Sequence, residues 1–134
     1  MSKIIGIIGT RSRNGFKDFD TFRKSFDSVY ETGDTLVSGG CPQGGDRFAD
    51  LIAADLKIPI HYVPEASTDL HIGSLNIHRA LWDKHGRGAG FVRNTYIARD
   101  AEVLMAVVST GRTGGTEDTI AKYLKMGKDR LILI

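Results

Sequence analysis

Cysteine is nearly absent: Cys41 is the one cysteine in 134 residues, which excludes an internal disulfide and any cysteine-cluster metal site. No apolar run approaches the roughly 20 residues of a membrane-spanning helix. The opening MSKIIGIIGT also lacks the small-residue cleavage site of a secretion signal. Together these absences predict a cytoplasmic protein with no membrane partner. An excess of one charge is missing too, since a formal net charge of +2 is too small to argue for nucleic acid, and no clustered basic and aromatic surface offsets that. There is no internal repeat and no low-complexity tract. What is present, 41% apolar and 25% charged residues, is the composition of a globular domain. The length suits a single domain over residues 1–134, large enough for one ordinary core.

Along the chain, strand and helix signals alternate. Lys3 to Gly9 is a β-branched run suited to a strand buried on both faces. A polar loop, Thr10 to Asp18, leads to a helix beginning near Asp20, with Phe22, Phe26, Val29 and Tyr30 on one face and Gly33 closing it. Asp34 to Ser38 is a second strand, running into the glycine-dense turn Gly39 to Asp46. A helix with Phe48, Leu51, Ile52 and Leu56 on its buried face follows. Lys57 to Pro64 is a third strand, and Glu65 to Arg87 an excursion whose segment Ser74 to Lys84 reads as a short helix. Phe91 to Asp100 is a helix led by Arg93, Val103 to Val108 a fourth strand, Thr116 to Met126 a helix and Arg130 to Ile134 a fifth strand. Short connections between alternating elements imply right-handed crossovers. The expected fold is α/β: one Rossmann-like, doubly wound domain with a mainly parallel five-stranded sheet, whose ligand lies beyond the carboxyl ends of the strands.

Two familiar nucleotide motifs are missing. The first loop reads GIIGTRS rather than G-x-G-x-x-G, and Ser38 stands where a dinucleotide fold places a ribose-binding acid. The second loop ends in Gly45-Asp46, without the Lys-Ser/Thr pair of a Walker loop. Two Gly-Gly turns remain, each feeding a helix whose free N–H groups and dipole could hold an anion. Thr116 reads as an N-cap or as a hydroxyl donor to phosphate, and Asp46 as an N-cap. Arg11, Arg13, Arg47, Arg87, Arg93 and Arg112 all stand in or just after glycine-bearing loops, where an anionic ligand could meet them. Glu117 and Asp118, in the first turn of the last helix, would repel a phosphate unless they point elsewhere. No His-Asp arrangement accompanies Cys41. His71, His78 and His85 are spaced by seven, which on a helix separates neighbours by about 10 Å, so no metal site is expected. Trp82 could stack on a base, but a lone tryptophan reads first as core or lid packing.

The stretches SGGCPQGGDRFAD (Ser38 to Asp50), WDKHGRGAGFVRN (Trp82 to Asn94) and TGGTEDTI (Thr113 to Ile120), in this order after a GTRS turn, resemble the SLOG superfamily. The resemblance covers nearly the whole chain and is nearest to small stand-alone bacterial and phage members of the YspA and YpsA kind. Better-known relatives are the LOG phosphoribohydrolases, the molybdenum-cofactor carrier proteins and the DprA DNA-processing proteins. It implies binding of a nucleotide or nucleotide-derived phosphate ligand, in a sensor, sequestering or carrier role, with self-association common among relatives. Gly114, Gly115 and Thr116 would hold the phosphate, with Gly39 and Gly40 near the ligand and Arg93 matching the hydrolases' arginine. The ligand-binding set is completed by Gly9, Thr10, Arg11, Ser12, Ser38, Asp46 and Asn94. Neither a resident cofactor nor a metal is implied. LOG enzymes continue their motif as G-T-x-x-E, whereas this chain has Thr119 at the glutamate position, and Arg112-Thr113 stands where a proline usually precedes the Gly-Gly pair. The alternative, cleavage of the N-glycosidic bond of a nucleoside monophosphate, would need Glu117 or Asp118 to replace that acid beside Arg93. DprA-like binding of single-stranded DNA is a third and weaker reading.

Overall fold

The computed structural model describes residues 2–64 and 67–134. Glu65 and Ala66, where the expected excursion begins, lie outside the described residues, as does Met1. Six strands form one parallel sheet: β1 (Ile4–Gly9), β2 (Thr35–Ser38), β3 (Ile60–Val63), β4 (Leu75–His78), β5 (Val103–Val107) and β6 (Leu131–Leu133), in the order β3-β4-β2-β1-β5-β6. Helices α1 (Phe16–Val29) and α2 (Gly45–Leu56) cover one face, where Phe22, Phe26, Phe48 and Ile52 pack on Ile5, Ile7 and Leu36. Helices α4 (Ala89–Asp100) and α5 (Gly115–Lys125) cover the other, with Ile97, Ile120 and Tyr123 against Ile8, Val37 and Leu104. The doubly wound α/β domain expected from the sequence is therefore present, with six strands rather than five.

The extra strand is β4, which replaces most of the helix expected over 74–84. Only Trp82–His85, here α3, stays helical. Leu75 and Ile77 bury on the α1/α2 side, while Asn76 and His78, which alternate with them, are polar yet wholly buried. Asn76 is fully bonded inside the fold, while His78 has a partner at Nε2 and, among the described residues, none at its buried Nδ1. The Asn76 amide donates to the Leu36, His71 and Ser74 carbonyls and accepts from the His71 N–H, and His78 Nε2 lies 2.6 Å from Asp100 Oδ2. The histidines consequently do not share a helix: His71, in the loop before β4, stacks on His61, and His85 ends α3. Helix α1 also starts earlier than expected and stops at Val29 with an extended Tyr30. Gly33, at φ 96°, instead turns the loop into β2.

A buried ion pair ties the start of β1 to that loop. Asp34 accepts from the Lys3 ammonium at 2.6 Å, from the Lys3 N–H and from the Glu31 N–H. Burial alone would push the Asp34 carboxyl up, but these three bonds outweigh it and hold its pKa below the ordinary value. The unfolded chain therefore binds the proton more readily, and Asp34 stabilises the fold above the ordinary carboxylate pKa of about 3.9. That contribution disappears as pH falls through the lower folded value. Asp34→Ala is expected to lose about 3 kcal/mol at pH 7, because it leaves two N–H groups without an acceptor and the Lys3 ammonium with only the exposed Glu31 carboxylate at 3.1 Å. Urea unfolding at pH 7 and pH 3 tests this: the mutational loss should shrink at the lower pH, and an equal loss at both would refute the assignment.

Candidate functional site

Strands progress from β1 to β2 in one direction and from β4 to β5 back across the sheet, so the loops leaving β1 and β5 diverge. Such a switch point leaves a crevice beyond the carboxyl ends of the strands. A cavity of about 350 Å³ lies there, within the range of small-ligand sites. Its walls are the end of β1 and its loop (Ile8 to Arg11), the turn before α5 (Thr113 to Thr116, with Thr119) and Arg93, Asn94 and Ile97 of α4. Cys41 and Asp46 close the side towards α2.

The N-terminus of α5 opens into this cavity. Gly114 precedes it at φ 96°, a left-handed conformation that suits glycine, and no side chain caps the helix. Thr116 is not the N-cap but lies in the first turn. The first intrahelical bond runs from Asp118 N–H to Gly114, so Gly115, Thr116 and Glu117 present N–H groups without an intrahelical acceptor. These groups and the helix dipole favour an anion at that spot.

The other Gly-Gly turn has a different job, contrary to the symmetric reading of the sequence. Gly44 N–H is taken by Asn14 Oδ1 at 2.8 Å, and Gly45 is pressed onto the backbone of Ile8 and Gly9, leaving no room for a Cβ. This turn packs α2 against β1. Asp46 is not an N-cap either: its carboxylate accepts from Gly39 N–H at 3.3 Å and Cys41 N–H at 3.1 Å, folding the loop after β2 back onto α2. Burial pushes the Asp46 carboxyl above its ordinary value, against the Arg93 guanidinium and those two N–H groups, which pull it down.

Arg93 does not open its helix but sits a full turn inside α4. Its Nη1 donates to the Gly39 carbonyl at 2.8 Å and its Nε to Asn94 Oδ1 at 3.0 Å, while the Asn94 amide donates to the Gly115 carbonyl and to Asp118 Oδ2, each at 3.2 Å. Arg93 and Asn94 thus connect the β2 loop to the start of α5.

Most loop arginines already have partners inside the fold. Arg13 donates to Asp18 and to the Val108 and Ile134 carbonyls, Arg47 to the Asn14 carbonyl, and Arg112 makes a two-pronged pair with Glu117 at 2.7 and 2.9 Å. Arg11 lines the cavity and has no partner among the described residues. Glu117 is turned to Arg112 and Asp118 to Lys122 at 2.7 Å, so neither acid lines the cavity, and their charge at the α5 terminus is countered locally. Thr119, which stands where the LOG motif has its glutamate, lines the cavity and donates to the Gly115 carbonyl at 3.3 Å.

Of the expected ligand residues, Gly9, Thr10, Arg11, Asp46, Arg93, Asn94, Gly114, Gly115 and Thr116 come together around the cavity. Ser12, Ser38, Gly39 and Gly40 do not line it. Ser12 is exposed beside Thr10, and Ser38 is buried with its hydroxyl unpartnered. A Cβ on Gly39 would strike Arg93 and Asp46, and one on Gly40 would meet Ile77 at 2.7 Å. Ile8, Cys41, Ile97, Thr113 and Thr119 line the cavity outside the expected set. Ile8 and Ile97 carry only a core signal in sequence, whereas Cys41 and Thr113 adjoin the marked glycines.

Fold comparison places this architecture beside known structures. The molybdenum cofactor binding protein of Rippkaea orientalis superimposes with a TM-score of 0.65 at 21% identity, over 99% of this chain and 76% of its own. The molybdenum cofactor carrier protein of Chlamydomonas reinhardtii matches with a TM-score of 0.65 at 22% identity over the same shares, and a second structure of the Chlamydomonas carrier with 0.60 at 20%. The fold is shared with them. At these identities the likeness concerns the fold alone. No family model matches the sequence, and neither does any curated protein.

Proposed function

We propose that this chain, as a single SLOG-like domain, binds a small phosphate-bearing ligand in the switch-point cavity, in a carrier, sensor or sequestering role. The observation that carries the reading is the uncapped N-terminus of α5 facing a cavity that also holds Arg11, which has no partner among the described residues. Gly114, Gly115, Thr116 and Arg11 receive the phosphate. Thr10, Arg93 and Asn94 line the space for the rest of the molecule, and Asp46, which accepts from the Gly39 N–H behind it, closes one side. A nucleotide fits this description, and so does a phosphate-bearing cofactor. The shared fold with molybdenum cofactor carrier and binding proteins supports the second class. Binding is favoured over glycosidic hydrolysis because the acids available for hydrolysis, Glu117 and Asp118, face Arg112 and Lys122.

Mass spectrometry of small molecules released from the purified protein should find a phosphate-bearing compound. Re-added at a hundredfold excess over Kd, that compound stabilises the fold by about 2.7 kcal/mol, a rise of several degrees in Tm. A protein that yields no such compound, and whose Tm is unmoved by a broad panel of nucleotides and pterin phosphates, would overturn the proposal.

A further inference from the structure

Trp82, the one tryptophan of the chain, is 58% exposed at the start of α3. Of the two places the sequence offered it, core or lid, it is therefore not in the core, and its ring is open to a partner. Gly90, on the first turn of α4, carries no side chain and so leaves methyl-sized room beside the indole and the Arg93 guanidinium. The point where a Gly90 Cβ would stand is 3.8 Å from the outer edge of the indole, Cη2, and 3.7 Å from Arg93 Nη2. The indole and the guanidinium thus border the same small space, and Arg93 is itself a wall of the cavity.

One continuous wall runs from the phosphate end to this space: Gly115 is bonded to Asn94, Asn94 to Arg93, and Arg93 borders the gap beside Trp82. We infer that Trp82, together with Arg93 and the gap at Gly90, forms a second subsite that takes the planar heteroaromatic ring of the ligand, stacked on the indole, while its phosphate sits at α5. This inference rests on the reading of the cavity as a phosphate site and names the class of molecule that site selects: a phosphate joined to a flat ring rather than a bare sugar phosphate. An indole face and a guanidinium are both sequence-tolerant partners for a π-system. The subsite thus discriminates ring from no ring more strongly than one ring from another.

Because no other tryptophan contributes, the intrinsic emission reports on this subsite directly. The experiment titrates the protein with adenosine 5′-monophosphate, guanosine 5′-monophosphate and a pterin phosphate, using ribose 5-phosphate as the ringless probe. Affinity is measured by calorimetry and quenching by fluorescence. At least one ring-bearing phosphate should bind on the order of tenfold or more tighter than ribose 5-phosphate and quench the emission saturably, as expected of one stacked base. Ribose 5-phosphate should bind without quenching. Trp82→Ala should remove the tenfold advantage and leave the ribose 5-phosphate affinity within about twofold, while Trp82→Phe keeps most of it. Ribose 5-phosphate binding as tightly as every ring-bearing compound, with Trp82→Ala changing neither, would overturn the ring subsite and leave the phosphate site standing. Failure of every compound to bind the unmodified protein would remove both.

Discussion

Gly45→Ala unfolds the protein, or leaves so little stability that it does not accumulate in soluble form. A Cβ there would fall on the carbonyl carbon of Ile8 and the amide nitrogen of Gly9, closer than any real Cβ contact, and both are backbone atoms in the most central stretch of the sheet. Side chains can rotate away from an intruding methyl, but the backbone of a buried strand cannot. The approach is reciprocal, since a Cβ on Gly9 would stand 2.9 Å from Gly45 Cα. To admit the methyl, α2 must lift from β1, and Phe48 and Ile52 would leave the core with it. The loss expected is at least about 4 kcal/mol, a large share of the 5–15 kcal/mol that a domain of this size has. The comparison is Gly111→Ala, in an exposed loop with nothing within 4 Å of the added methyl and no left-handed φ, which should shift stability by less than about 0.5 kcal/mol. Urea unfolding of both variants decides the matter. A Gly45→Ala protein whose unfolding free energy lies within about 1 kcal/mol of the parent's would mean that α2 is free to slide and that the glycine contact is incidental.

That contact also marks where the sequence could be read and where it could not. The strands β1 and β5 are apolar runs, β2 is a short run between Gly33 and Gly39, and helices α1, α2 and α5 bury recognisable stripes, so the doubly wound arrangement was legible from the sequence pattern. Strand β4 was not, because its buried positions Asn76 and His78 are polar, and their partners, the loop residues His71 and Ser74 and the distant Leu36 and Asp100, are brought to them only by the fold. Nothing local distinguishes a satisfied buried asparagine from a solvated one. The same limit blurred the site. Gly44-Gly45 and Gly114-Gly115 look alike as text, yet the first is closed by Asn14 and the backbone of β1 while the second faces a cavity. Likewise six loop arginines were equivalent candidates until the fold gave Arg13, Arg47 and Arg112 internal partners and left Arg11 lining the cavity with none among the described residues. Which member of a repeated motif stays open is a property of packing, and packing is set by contacts that a one-dimensional pattern does not contain.

The difference between the two turns can be turned into a measurement at Gly115, where a substitution should abolish binding and spare the fold. Gly115 starts α5, has no left-handed φ, and a Cβ on it would meet nothing nearer than the Asn94 amide at 3.9 Å. Aspartate therefore fits. In the first turn of a helix it should even stabilise slightly, by about 0.3–1 kcal/mol, through the helix dipole. The same carboxylate stands where the proposed phosphate accepts from the α5 N–H groups. It would compete for those donors and repel the ligand, removing the equivalent of one or two hydrogen bonds to a charged group, each about 1.5–3 kcal/mol. Ribose 5-phosphate, or whatever phosphate compound co-purifies with the parent protein, should bind Gly115→Asp at least about a hundredfold more weakly, with Tm unchanged or higher in the absence of ligand. Arg11→Ala should weaken the same binding by about tenfold, as expected for one charge-assisted contact. Glu117→Gln should leave it nearly unchanged, since Glu117 is held by Arg112 outside the cavity. Parental affinity in Gly115→Asp would move the phosphate away from α5. Loss of binding accompanied by a fall in Tm would mean that the turn is structural in the way that Gly44-Gly45 is, and the two loops would then be equivalent after all.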